Sequence, residues 1–155
     1  MNISEHIAII MDGNRRWAKD RGLETKDGHK AGAKALEAIS EFCNKIGIKY
    51  LTVYAFSTEN WKRSEEEISN LMEIFLKYIN DVIKDDEGLR VKIIGDKSPF
   101  TDELKNKMYE MEEKTDKNTG LTLGVCLNYS GRSDITQAVQ NIAKMLKDGK
   151  INIED

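Results

Sequence analysis

Proline occurs once, at Pro99, and cysteine and histidine twice each in a chain of 155 residues. With no proline-rich stretch there is no sign of a linker dividing the chain. Cys43 lies in a helical pattern and Cys126 in an apolar strand pattern, so they read as buried thiols rather than a disulfide framework. His6 and His29 are too few for a zinc site built on His and Cys, which leaves only hard-metal chemistry on carboxylates. The longest apolar run, Ile7 to Met11, is five residues, against about 20 for a membrane-spanning helix. The amino-terminal residues show neither the basic-then-apolar order of a signal peptide nor an amphipathic transit pattern, so the cytoplasm is the default location. Charge of one sign is lacking too. With 24 Lys+Arg against 27 Asp+Glu and a net charge of -3, no chain-wide attraction for nucleic acid exists, and any anion site is local. Neither G-x-G-x-x-G nor G-x-x-x-x-G-K-[ST] occurs, which argues against dinucleotide and ATP chemistry.

What is present is one domain's worth of alternating elements. A chain of this length buries about 68 to 70% of its unfolded surface. Ile7–Met11 reads as a buried strand that meets a turn at Asp12-Gly13-Asn14. Between Gly28 and Ile46, Ala31, Ala35, Leu36, Ile39, Phe42, Cys43 and Ile46 recur at helical spacing, and Gly47 supplies the stop. Ile48–Phe56 is β-branched and aromatic, hence a second strand. Ser64 with Glu67 forms a capping-box pattern before Ile68, Leu71, Met72, Phe75, Ile79, Val82 and Ile83. Val91–Ile94 is a third strand, and Thr101 opens a helix carrying Leu104, Met108 and Met111. Leu121–Asn128 is a fourth strand, followed by a helix with Ile135, Ala138, Val139, Ile142 and Leu146. This alternation predicts an α/β fold, a parallel β-sheet flanked by helices on both faces.

Open parallel sheets bind ligands beyond the carboxyl ends of their strands. Those segments carry Asp12 to Arg16, then Ser57, Glu59, Asn60, Trp61 and Arg63, then Asp96, then Asn128 and Arg132. Carboxylate, guanidinium and amide together suit a phosphorylated substrate with Mg²⁺: Asp12 as metal ligand, arginines and backbone N–H groups on phosphate oxygens. Taken alone, Asp12-Gly13-Asn14 is an ordinary turn composition and Arg15-Arg16 an ordinary surface pair; their combination carries the inference.

His6-Ile7-Ala8-Ile9-Ile10-Met11-Asp12-Gly13-Asn14-Arg15-Arg16-Trp17-Ala18-Lys19, Gly28-His29-Lys30-Ala31-Gly32, Tyr54-Ala55-Phe56-Ser57-Thr58-Glu59-Asn60-Trp61-Lys62-Arg63, Asn118-Thr119-Gly120-Leu121-Thr122-Leu123 and Asn128-Tyr129-Ser130-Gly131-Arg132 resemble, in order, cis-prenyltransferases of the undecaprenyl diphosphate synthase type. The resemblance implies a transferase that condenses isopentenyl diphosphate with an allylic diphosphate such as farnesyl diphosphate, making polyprenyl diphosphate with cis double bonds. It implies Mg²⁺, a homodimer, and peripheral membrane contact through the lipid product. By resemblance Asp12 holds Mg²⁺ and is catalytic, and Asn60 matches the residue to which proton abstraction is assigned. Gly13, Asn14, Arg15, Arg16, Trp17, His29, Ser57, Thr58, Glu59, Trp61 and Arg63 match substrate-binding positions. An amide is a poor base, so Asn60 is expected to position the proton's path rather than hold the proton.

Three residues depart from the family pattern. Thr25 replaces an arginine that binds diphosphate, with Lys26 beside it as a point charge lacking bidentate geometry; Ser64 replaces a proline, and Ser130 a glycine. The resemblance also implies a single domain over 1–155 that is shortened at its carboxyl end, with four of the family's six strands. On that expectation the isopentenyl (homoallylic) diphosphate clamp is missing. The alternative to an active enzyme is then a catalytically silent allylic-diphosphate-binding fragment or partner subunit.

Overall fold

A computed structural model describes residues 4–85 and 88–154. Met1 to Ile3 and Asp155, on which part of the readings of the two chain ends rests, lie outside the described residues. The strands are β1 (His6–Ile10), β2 (Tyr50–Ser57), β3 (Arg90–Ile94) and β4 (Thr122–Tyr129). The helices are α1 (Asn14–Lys19), α2 (Thr25–Lys45), α3 (Glu65–Lys84), α4 (Asp102–Thr115) and α5 (Gly131–Lys147), with a 3-10 turn at Thr58–Lys62. Each strand and long helix lies within a few residues of its expected position. Helix α1 has only six residues, under two turns, too short to show a helical repeat in sequence.

The sheet order is β1-β2-β4-β3 and every pairing is parallel. The α/β class and the four parallel strands are therefore as the alternation predicts. Hydroxyl caps open α3, α4 and α5, whereas α2 starts after Glu24 with no side-chain cap. Ser64 accepts from the Glu67 backbone N–H at 3.3 Å, Thr101 from Leu104 at 3.3 Å and Ser130 from Ser133 at 3.2 Å, each supplying an orphan donor with its partner.

One sheet face carries the core. Leu51, Val53, Val91, Leu123 and Val125 pack in a single cluster with Leu36 and Cys43 of α2, Leu71, Ile79 and Val82 of α3, and Leu104, Met108 and Met111 of α4. On the other face Ile10 is 76% exposed, and α5 has no buried residue, with Ile135 68% exposed. Cover on both faces is thus realised on one of them among the described residues. The apolar stripe of α2 is also rotated from the expected one. Leu36, Ser40 and Cys43 are buried while Phe42 is 60% exposed, because α2 turns towards α1 and α3, its helical neighbours. Cys43 and Cys126 are buried, unpaired thiols, as read from the sequence, and burial pushes both pKa values up.

Phe56, fully buried near the end of β2, meets Trp61 at 5.1 Å, Phe75 at 6.2 Å and Phe100 at 6.5 Å between ring centroids. This cluster joins the strand end to the turn after it, to α3 and to the segment before α4. Deleting its central ring removes transfer energy and leaves a cavity, so Phe56→Ala should cost about 3 to 5 kcal/mol, read from urea unfolding.

Candidate active site at the carboxyl ends of the strands

The first loop is built around a left-handed glycine. Gly13 has φ 99°, a conformation that costs a side chain about 1 to 2 kcal/mol and glycine nothing. Its N–H donates to Asp12 Oδ1 at 2.6 Å, and Trp17 N–H returns to the Gly13 carbonyl at 2.8 Å, starting α1. Arg16 Nη2 donates to Asp12 Oδ2 at 2.9 Å, with both side chains about three-quarters exposed. The Asp12 carboxylate thus stands in solvent beyond the end of β1, partnered by one arginine and one backbone N–H.

Two further glycines let α1 lie against α2. A Cβ on Gly28 would fall 2.1 Å from the Asn14 carbonyl oxygen, and one on Gly32 would fall 2.6 Å from the Asn14 side-chain amide. The Gly28-His29-Lys30-Ala31-Gly32 segment is therefore a close-approach surface, and Asn14 is its packing partner. The approach sets His29, 8% exposed, near Arg15 and opposite α3.

His29 Nε2 lies 3.2 Å from Glu67 Oε1, Arg63 Nη1 lies 3.0 Å from the same oxygen and Arg15 Nε lies 3.8 Å from it. Burial lowers the His29 pKa; the Glu67 hydrogen bond and charge oppose this, and Arg63 and Arg15 add to it. Sequence reasoning missed Glu67 as a site residue. It read this glutamate as half of a capping box, whereas the carboxylate turns to Arg63 and His29. The four-residue spacing from Arg63 to Glu67 was the available signal.

After β2, the Asn60 side-chain oxygen accepts from the Ser57 N–H at 3.0 Å and the Ser57 side chain caps the turn in return. This pins Asn60 at the strand end. Asp12, Gly13, Asn14, Arg15, Arg16, His29, Ser57, Asn60 and Arg63 all border one cavity of about 590 Å³. Deeper between α2, α3 and the sheet, the lining becomes apolar: Leu36, Leu71, Ile74, Phe75, Tyr78 and Val125. The cavity has a charged mouth and an apolar throat. A second recess beside it shares Arg15, Arg16 and His29 and adds Lys19, Lys26, Glu66 and Glu67.

Four expected site residues are not brought to this cavity. Trp17 lies under the Arg21 guanidinium, 4.4 Å from its ring centroid. Trp61 packs between Phe56 and Phe100 and donates from Nε1 to Asn128 Oδ1 at 2.8 Å. Thr58 and Glu59 lie in the 3-10 turn, outside the cavity lining. Asn128 is the only non-glycine residue with positive φ, 49°, among the described residues. It also donates to the Asp96 carbonyl at 2.9 Å, so the β3 and β4 loops are tied through the residue that holds Trp61. The Asp96 carboxylate is occupied by the Ser98 N–H and hydroxyl at 2.9 and 2.8 Å. Lys26, beside Thr25, is paired with Glu24 at 2.5 Å.

The donor set fits Mg²⁺ in one specific way. Asp12 offers a single exposed carboxylate beside the Arg16 guanidinium, a donor set that suits an ion taking most of its ligands from elsewhere, such as phosphate oxygens and water. No group of three ligating side chains gathers among the described residues. No helix among the described residues is long and apolar enough to cross a membrane.

The prenyltransferase family model described as undecaprenyl diphosphate synthase matches residues 10–155. An isoprenyl transferase of Clostridium perfringens is 48% identical over 153 residues, covering 97% of this chain and 60% of that protein. A ditrans,polycis-undecaprenyl-diphosphate synthase of Vibrio vulnificus, specific for (2E,6E)-farnesyl diphosphate, is 44% identical over 99% of this chain and 62% of its own length. The crystal structure of lavandulyl diphosphate synthase from Lavandula x intermedia, in complex with dimethylallyl diphosphate, superimposes with a TM-score of 0.92 at 32% identity, over 97% of this chain and 66% of that one. The chain thus spans about three-fifths of the curated relatives it matches.

Two outcomes follow from the geometry of α1, α2 and α3. Gly28→Ala forces a Cβ onto the Asn14 backbone and should destabilise the protein by about 1 to 3 kcal/mol, read as a lowered urea midpoint. His29 has a folded pKa below its unfolded value, so its stabilising contribution is complete above about pH 6.5 and is lost as pH falls through the folded value. The urea midpoint should therefore drop between about pH 7.5 and about pH 5.5, and drop less in His29→Gln.

Proposed function

This chain belongs to the undecaprenyl diphosphate synthase family of prenyltransferases, and on that premise we propose that it acts on an allylic diphosphate, condensing it with isopentenyl diphosphate into a longer prenyl diphosphate. The observation that carries the reading is the one cavity with a cationic mouth and an apolar throat, because an allylic diphosphate is an amphiphile of the same polarity and order. The lavandulyl synthase that this chain resembles was solved with dimethylallyl diphosphate, a ligand of that class.

In this reading Arg15, Arg16 and Arg63 take the diphosphate oxygens, each guanidinium offering several fixed donors. His29 closes the same mouth. As the allylic C1–O bond breaks, pyrophosphate leaves with the electron pair, and these preorganised donors stabilise the charge that develops on it. The terminal alkene carbon of isopentenyl diphosphate forms the new bond to that C1, leaving its tertiary carbon electron-deficient; a proton then leaves the neighbouring C2 for the departing pyrophosphate, and its bonding pair restores a double bond. Asn60, its oxygen held by the Ser57 N–H, orients the reacting end. An amide has no basicity to spare, so its role is placement. Asp12 would hold Mg²⁺, which supplies Lewis-acid neutralisation of the leaving diphosphate when bound. Ser57 borders the same mouth, and Gly13 keeps the backbone close to it. The apolar residues Leu36, Leu71, Phe75 and Tyr78 receive the isoprenoid tail. A cytoplasmic, homodimeric enzyme touching membrane through its lipid product completes the proposal, with the exposed apolar stripe of α5 in support of assembly.

Incubation of the purified protein with farnesyl diphosphate, radiolabelled isopentenyl diphosphate and Mg²⁺ should yield elongated prenyl products. Asp12→Ala should lower turnover by about 100-fold or more, the scale of losing one preorganised charge-stabilising group. Tight farnesyl diphosphate binding with no elongation would overturn the condensation and leave an allylic-diphosphate binder. Undiminished turnover in Asp12→Ala would overturn the metal assignment.

A further inference from the structure

We infer that Glu67 is the positioning residue of the anion site: one carboxylate oxygen that orients His29, Arg63 and Arg15 from behind. The inference rests on the proposed diphosphate site for its ligand, but its geometry stands apart from turnover.

Glu67 Oε1 collects the contacts from His29 at 3.2 Å, Arg63 at 3.0 Å and Arg15 at 3.8 Å. These partners come from α2, from the end of the 3-10 turn and from α1, while Glu67 sits in the first turn of α3. A single oxygen thus ties four segments at the mouth of the cavity. Glu67 itself does not border that cavity, whereas all three partners do. Its side chain is 12% exposed, so little water competes for it.

The donor inventory explains why this arrangement serves binding. Arginine has five N–H donors. Arg63 commits Nη1 to Glu67 and Arg15 turns Nε towards it, so the remaining donors of each are available to phosphate oxygens. Without a counter-charge, two guanidinium groups converging on one mouth would repel each other and spread into solvent. An ionised carboxylate only accepts, so the ring nitrogen facing it must be the protonated one. Neutral His29 is therefore held as the Nε2–H tautomer, with the Nδ1 lone pair as its second function. A carboxylate that served only to favour the start of α3 would have no such effect on the ring.

The experiment uses the intact chain, with inorganic pyrophosphate as the probe and ¹⁵N ring signals of its two histidines as a second readout. Above the His29 transition the wild-type ring should show the Nε2–H pattern. Glu67→Gln should weaken pyrophosphate binding about tenfold, the usual scale for losing a group that orients a ligand, and release the tautomer preference. Glu67→Asp keeps the charge but shortens the reach, and should fall between the two. Glu65→Gln, an exposed neighbour that borders neither cavity, should change neither readout. An Nδ1–H pattern in the wild type, or a Glu67→Gln variant that binds pyrophosphate as tightly as wild type, would overturn the inference. Should Glu67→Gln fail to fold, the wild-type tautomer and Glu67→Asp still decide it. Wild-type protein that binds no pyrophosphate but shows the Nε2–H pattern would overturn the diphosphate reading and leave the Glu67–His29 pairing standing.

Discussion

Every functional feature of this protein depends on four strands that run the same way. Parallel neighbours cannot be joined by hairpins, so each connection must cross back over the sheet, and helices are the economical way to do it. The register places Ile10, Tyr54, Cys126 and Ile94 at one level, so the loops after all four strands open at the same edge. The charged mouth is a consequence of that edge. The apolar throat below it is the gap between the sheet and the α2–α3 pair.

Within this frame the site is assembled by close approach and by charge. Gly28 and Gly32 remove the side chains that would hold α1 away from α2, and this brings Arg15 towards the buried His29. Glu67 then faces the two cationic groups and the imidazole across the gap from α3. The arrangement is costly in isolation, since convergent cations repel and a half-buried carboxylate loses hydration. Gathered on one oxygen, they offset one another. The aromatic cluster at Phe56 supports the other wall, because Trp61 is held by packing and by Asn128, and the turn that carries Asn60 moves with it.

Much of this was legible in the residues. Strand and helix positions follow from periodicity and from the hydroxyl-bearing helix starts at Ser64 and Thr101. The carboxyl-end rule points to Asp12, Arg15, Arg16, Asn60 and Arg63, all of which border the cavity. Trp61 and Trp17 do not line the cavity. They sit beside Asn60 and Arg16 in sequence, but Trp61 packs with Phe56 and Phe100 and Trp17 lies against the Arg21 guanidinium, contacts that favour an aromatic ring. The apolar stripes of α2 and α5 state that a face is fit for cover. They do not state what covers it, and in α5 no described element does.

The sequence by itself determined the element types, their order, the parallel class and the family, because periodicity, caps and collinear motifs are local properties of the chain. Tertiary structure decided which side chains share a space. It made Gly28 and Gly32 a contact surface for Asn14, packed the half-buried Trp61 against Phe56 and Phe100, and set the Glu67 carboxylate behind the cationic mouth, against Arg63 and His29. Those outcomes depend on distances between segments that are remote along the chain, such as the 38 residues between His29 and Glu67, and no local pattern encodes them.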